Sequence, residues 1–121
     1  MLVLMAWAIS GATDSRESNK SDFVFDGWPG PPIRVYTSQP AGPAADLPVV
    51  IVMHGMSRNA DDYRDQWHEL AQQHRFLLLV PEFSRDNFPG SRGYNLGNTR
   101  DKYGQSIPKE LWSFSAIEEI F

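Results

Sequence analysis

The chain has 121 residues, a formal net charge of −4, 41% hydrophobic and 21% charged residues, and no cysteine. That length suits one globular domain, and 12% aromatics with mixed charge argue against a disordered chain. The missing cysteine excludes a disulfide framework, a thiolate metal site and a cysteine nucleophile. The acid excess is spread as −1 over residues 1–60 and −3 over residues 61–121, with no basic tract, so nucleic acid is not an expected partner.

Leu2 to Ile9 is an apolar run, followed by the small residues Ser10, Gly11 and Ala12 and a polar stretch from Thr13 to Asp22. This order resembles a secretory signal with cleavage near Ala12, although the first basic residue is Arg16. Two expectations follow: a secreted or periplasmic protein, or a cytoplasmic one with a hydrophobic N-terminus. The run is too short for a transmembrane span, which needs about 20 residues.

Asp22–Phe25 and Ile33–Thr37 are expected strands, separated by Gly27-Trp28-Pro29-Gly30-Pro31-Pro32. Gln39 to Leu47 reads as a surface connection. Pro48 to Met53 is a continuous apolar, β-branched run, the pattern of a central parallel strand buried on both faces. After the turn His54-Gly55-Met56-Ser57-Arg58-Asn59, a helix is expected over Ala60–His74, with Asn59 as N-cap and Asp61 and Asp62 in the first turn. Tyr63, Trp67, Leu70, Ala71 and His74 form its apolar stripe, while Asp61, Asp62, Asp65 and Glu69 form a solvated face. Phe76–Val80 is a second buried strand closed by Pro81, which completes a βαβ unit.

Glu82 to Pro108 is a long loop whose aromatics (Phe83, Phe88, Tyr94 and Tyr103) suit an ordered, packed segment. A final helix begins near Ser113. Either Ser115 with Glu118 forms a capping box, or Ser113 caps it and Trp112 staples onto Ile117.

The sharpest chemical feature is the buried strand running into His54-Gly55-Met56. Glycine there allows positive φ and a close backbone approach. The Met56 amide would then face the space above the sheet's C-terminal edge, where an oxyanion hole needs N–H donors. The competing reading is an ordinary strand-to-helix turn. Ser57 lies between strand and helix and is a weak nucleophile candidate, since Arg58 and Asn59 are large for a tight elbow. His68-Glu69 begins like a zinc motif, but the next histidine, His74, lies about 240° around the helix, so no metal or other cofactor is expected.

Residues His54 to Asp61 resemble the HGM-x-R-N stretch of serine esterases related to polyhydroxybutyrate depolymerases. Val80 to Ser84, Phe88-Pro89-Gly90 and Gly93 to Asn98 are similar to the loop after the fourth strand in that group, and Trp112 to Glu118 to the helix preceding its nucleophile strand. The resemblance runs from about Phe23 to Phe121. It implies an α/β-hydrolase fold and a carboxylic-ester substrate, small or polymeric. It also implies Met56 as the oxyanion donor, Gly55 and His54 as the bracing of its loop, and Phe83, Tyr94 and Asn95 near the substrate.

The G-x-S-x-G nucleophile elbow of that group is absent from the 121 residues, as are its acid and base. The expectation is therefore a signal-like segment and linker over 1–20 and the N-terminal portion of an α/β-hydrolase domain over 21–121. Such a piece would have an incomplete sheet and be inactive by itself. A different class of reading is a non-catalytic interaction domain, self-associating or pairing with another chain through the sheet edge that Val49–Met53 would leave open.

Overall fold

A computed structural model describes residues 19–121; the signal-like run and residues 13–18 of the polar stretch after it lie outside them. Strand β1 (Lys20–Phe25) turns through the Gly/Pro segment into β2 (Ile33–Ser38), and the two pair antiparallel with Phe25 opposite Ile33. Strand β3 (Val49–Ile51) leads into helix α1 (Ala60–His74), which returns to β4 (Leu77–Glu82). The sheet order is β1-β2-β4-β3, with β4 antiparallel to β2 and parallel to β3. The β3-α1-β4 unit is thus the expected βαβ crossover, and α1 has the expected bounds.

Of the two runs expected to be buried on both faces only the second is, and the first stands at the sheet edge that Val49–Met53 was expected to leave open. Strand β4 is the one paired on both sides and buried on both faces, while β3 is a three-residue edge strand with Val49 36% exposed. Both runs are apolar throughout, and pairing decides which is central. Pro81 does not close β4; it lies within it, opposite Val35.

Alternate β4 side chains serve two cores. Leu79 joins Ile33, Val35 and Phe83 on one face, with Leu77 packed alongside. Leu78 and Val80 meet Ala60 and Ala71 of α1 on the other. Helix α3 (Ser113–Ile120) brings Ala116, Ile117 and Ile120 to the first core, so α1 and α3 cover opposite faces of the sheet. The result is a mixed four-stranded α/β sheet between helices. No helix among the described residues is long and apolar enough to cross a membrane.

Helix α1 rests on a different face from the one its apolar residues suggest. Trp67 and Leu70 are 36% and 42% exposed and His74 is exposed, whereas His68 is buried with Nδ1 2.8 Å from the Ser38 hydroxyl. Gln72 Nε2 adds a bond to the same hydroxyl at 3.2 Å. A buried hydroxyl on β2 that can satisfy two helix side chains fixes the rotation of α1 at the expense of apolar cover. The four carboxylates of the expected solvated face are all exposed.

The expected helix caps do not form. Asn59 has no cap hydrogen bond, and its amide instead donates to Asp62 at 3.1 Å. Helix α3 starts after Trp112 without a side-chain cap. The Ser113 hydroxyl donates to the Gly93 carbonyl at 2.9 Å and Ser115 to that of Lys109 at 2.6 Å, so both hydroxyls anchor α3 to the preceding loop. That loop is ordered around a short helix, α2 (Gly90–Gly93), and a 3₁₀ turn at Lys109–Leu111. Phe83, Phe88 and Tyr94 are buried in it, while Tyr103 is 76% exposed.

Candidate functional site

The site grows from the end of β3. The Val52 N–H still bonds the Leu79 carbonyl at 2.9 Å, and the chain then leaves the sheet through Met53 and His54. His54 is 4% exposed. Its Nε2 accepts the Phe83 backbone N–H at 2.9 Å. A backbone N–H can only donate, so Nε2 is bare and the proton resides on Nδ1, which donates to the Gly55 carbonyl at 2.8 Å. Burial, the largest influence, and Arg58 nearby hold the His54 pKa below the ordinary histidine value, in keeping with a neutral ring. With both nitrogens engaged, His54 braces the loop and has no free lone pair for proton abstraction or a metal.

Gly55 does not adopt positive φ. Its value lies in close approach, since a Cβ there would stand 3.2 Å from the Tyr63 hydroxyl. The left-handed residue of the turn is Arg58, with φ 61°. That conformation turns the Arg58 side chain into the protein, where it is 6% exposed. Nη1 donates to the Phe83 carbonyl, and Nη2 to those of Phe88 and Gly90 at 2.9 and 3.0 Å. The guanidinium also lies 4.6 Å from the centre of the Tyr94 ring. Tyr94 in turn donates its hydroxyl to the His54 carbonyl. Burial is the main influence raising the Tyr94 pKa, which keeps that donor protonated. The aromatic rings close the cluster, with Phe83 and Tyr94 stacked at 5.3 Å and Phe83 and Phe88 edge-on at 4.9 Å.

This scaffold presents the next residue outward. Met56 is 45% exposed, and its N–H has no acceptor among the described residues. Its carbonyl accepts from Arg85 Nη2 at 3.2 Å. A cleft of about 400 Å³ opens there, lined by Met56, Arg58, Arg85, Pro89 and Gly90. Phe83 and Tyr94 are interior supports of the turn, whereas Asn95 is exposed. Ser57 is exposed and is not among the left-handed residues, so the backbone strain of a nucleophile elbow is not at its position. His68 and His74 lie on different faces of α1, one bonded to Ser38 and one at the surface.

Two residues of the site escape a reading of the sequence by pattern. Arg58 stands inside the motif His54–Asp61, but its partners lie 25 to 32 residues further on. Arg85 carries no periodic signal at all.

No family model and no curated protein matches the chain. Among solved structures, it is similar to poly(aspartic acid) hydrolase-1 from Sphingomonas sp. KT-1, with 39% identity and a TM-score of 0.82 over 85% of this chain and 39% of that one. It is also similar to the poly(3-hydroxybutyrate) depolymerase LpqC from Bordetella parapertussis, with 30% identity and a TM-score of 0.73 over 84% of this chain and 35% of that one. The chain therefore spans well under half the length of each. The resemblance to polyhydroxybutyrate depolymerase-like hydrolases that its motifs carry is matched in three dimensions.

Proposed function

We propose that these residues form the oxyanion-binding part of an α/β-hydrolase that cleaves acyl bonds in a polymeric or small carboxylic ester, with the Met56 N–H as a hole donor. The observation that carries this reading is the unengaged Met56 amide beside a cleft, on a turn pinned by His54 and Arg58. In acyl transfer, attack on the carbonyl carbon places negative charge on its oxygen, and a donor fixed in advance stabilises that charge without reorganising. His54 serves as a positioning residue only. The nucleophile, acid and base are supplied by residues outside this sequence, which contains no G-x-S-x-G. The similarity to a poly(aspartic acid) hydrolase and to a poly(3-hydroxybutyrate) depolymerase supports acyl-bond cleavage, and the second of them supports an ester.

The test pairs the 121-residue chain with a longer product extended through the downstream DNA to the first in-frame or frameshifted G-x-S-x-G. Both are assayed on a p-nitrophenyl butyrate substrate. The short chain is expected to be inert and the extended one active. In the extended form Met56→Pro, which deletes the N–H, should lower kcat by about 10²–10³-fold, while Met56→Ala should leave it near the parent value. Turnover by the short chain that disappears in Ser57→Ala would overturn the assignment.

A second reading rests on the open side of β3, where Val49 and Met53 are 36% and 37% exposed. Such an edge favours self-association or strand pairing with another chain. Light scattering on the 121-residue chain addresses it, and a stable monomer would count against this reading.

A further inference from the structure

The sheet ends on β3 at one side and on β1 at the other, so strands added beyond β3 leave the outer edge of β1 as it stands. That edge is six residues long, against three in β3. One bond fixes the direction of its backbone groups. The Gln39 N–H donates to the Asn19 carbonyl at 3.0 Å, one step beyond the Lys20–Ser38 pair. The N–H and C=O of a strand residue point to the same side, and the side alternates along the strand. Asn19, Ser21, Phe23 and Phe25 therefore face β2. Lys20, Asp22 and Val24 hold their N–H donors and carbonyl acceptors out from the sheet, without a backbone partner among the described residues.

The side chains of this edge are apolar on both faces, with Phe23 44% and Val24 58% exposed. An edge of that kind is a template for another strand. Its sequence is also complementary to itself read backwards. Two copies laid antiparallel with Phe23 opposite Phe23 bring Asp22 opposite Val24, Ser21 opposite Phe25 and Lys20 opposite Asp26. Outward-facing residues meet outward-facing residues in that register, so the ladder closes. Phe23 then occupies a pair without hydrogen bonds, where the Cα atoms approach to about 4.5 Å and the side chains lie closest. Asp26 is exposed and enters no ion pair among the described residues. Lys20 reaches Asp65 at 3.4 Å, an exposed pair that does not bar a second acid. Centring the pairing on Asp22 instead would set Asp22 against itself, and centring it on Val24 would set Asp22 against Asp26. Both place like charges directly opposite, so charge and aromatic pairing select the register centred on Phe23.

We propose that a second copy of this chain pairs antiparallel on β1 across a two-fold axis through Phe23, joining the two sheets into one. The backbone ladder and the Phe23 rings supply the attraction. The Lys20–Asp26 pairs at both ends add little strength, being exposed, but they reject other registers. An isologous contact of this kind closes at two copies and uses up both β1 edges. It is separate from the open side of β3 and does not depend on the oxyanion reading.

Sedimentation equilibrium of the 121-residue chain over micromolar concentrations should show a monomer–dimer equilibrium. Val24→Pro deletes an outward N–H and no bond of the β1–β2 ladder. It removes one hydrogen bond from each half of the dimer, so the dissociation constant should rise roughly tenfold or more. Val49→Pro, which blocks the open side of β3 in the same way, should leave it unchanged. Asp26→Lys sets like charges against Lys20 and should weaken the dimer by about fivefold, and adding Lys20→Glu should restore it. The chain has no cysteine, so an introduced one is a single reporter. Across the proposed axis Phe23→Cys lies within disulfide reach of its copy, whereas Val24→Cys lies opposite Asp22 and out of reach. Mild oxidation should therefore link Phe23→Cys into a dimer and leave Val24→Cys monomeric, a readout that stands even if Val24→Pro does not fold. A monomer at every concentration, loss of the dimer in Val49→Pro, no restoration by Lys20→Glu, or linkage of Val24→Cys in preference to Phe23→Cys would each overturn the proposal.

Discussion

Replacing Arg58 by Met keeps most of the side-chain volume and removes the fork that ties the His54–Arg58 turn to the loop after β4. Three hydrogen bonds from a charged donor are lost, to the carbonyls of Phe83, Phe88 and Gly90. Each such bond contributes about 1.5–3 kcal/mol, a gross loss of about 5–9 kcal/mol. Removing a cation that is buried without a carboxylate partner recovers several kcal/mol of desolvation. The left-handed backbone at position 58, φ 61°, strains Met as it strains Arg and cancels from the comparison. The expected net loss is therefore about 3 kcal/mol. For a small domain with a urea slope near 1.5 kcal/mol per molar, that moves the unfolding midpoint down by about 2 M. Arg58→Lys separates charge from shape, because one ammonium cannot span the three carbonyls, and it should lose about 2 kcal/mol. Equilibrium urea unfolding followed by tryptophan fluorescence measures both. An Arg58→Met midpoint within about 0.3 M of the parent would refute the claim that the fork holds the turn.

Three further predictions concern the same region and its supports. Because the His54 pKa is lowered in the fold, the unfolded chain binds a proton below about pH 6.5 that the folded chain still refuses, so stability is complete above that pH and falls as pH drops below it. Thermal melts between pH 7.5 and 5 should show a steeper decline for the parent than for His54→Gln, and equal slopes would count against a neutral, pinned imidazole. Gly97 and Gly90 have φ of +75° and +64°, but only at Gly97 would a Cβ meet a neighbour, 2.3 Å from the Phe114 ring. Gly90→Ala should therefore cost about 1 kcal/mol and Gly97→Ala about 2–3 kcal/mol in urea unfolding, and equal losses would mean that the ring yields freely. Ser38→Ala strands His68 and Gln72 and should lower stability by about 1–3 kcal/mol, with a smaller loss when His68→Leu is combined with it; additive losses in that double-mutant cycle would disprove the coupling.

The local patterns in this chain are readable wherever neighbours in sequence decide them. Helix α1 begins at Ala60 and ends at His74 as its carboxylate-rich first turn and its periodicity indicate, and the β3-α1-β4 crossover follows from two apolar runs flanking that helix. What pattern cannot supply is choice between equivalents. Pro48–Met53 and Phe76–Val80 are equally apolar, and only the antiparallel partnership with β2 makes β4 the inner strand. The rotation of α1 is set by the hydroxyl of Ser38, 30 residues before His68, against the apparent preference of Trp67 and Leu70. Ser113 and Ser115 look like caps until carbonyls of the preceding loop claim their hydroxyls. At the site, His54 is marked in the sequence only through the family resemblance, and its bonds to Phe83 and Gly55 exist only in the fold. Arg58 shows its role only once Phe83, Phe88 and Gly90 are folded against it.

The tie between Arg58 and that loop also has a thermodynamic meaning. Met56 stands two residues from Arg58, and Arg58 holds Gly90, which lines the cleft beside Met56. A ligand that settles at Gly90 and a charge that develops beside the Met56 amide therefore draw on one shared set of contacts. Linkage makes such an arrangement reciprocal: whatever ordering the first contributes to the second, the second returns to the first. On the proposed oxyanion role, whatever occupies the cleft at Gly90 is in this way felt at the Met56 amide, and a loss of order in the loop after β4 would loosen the donor along with the cleft.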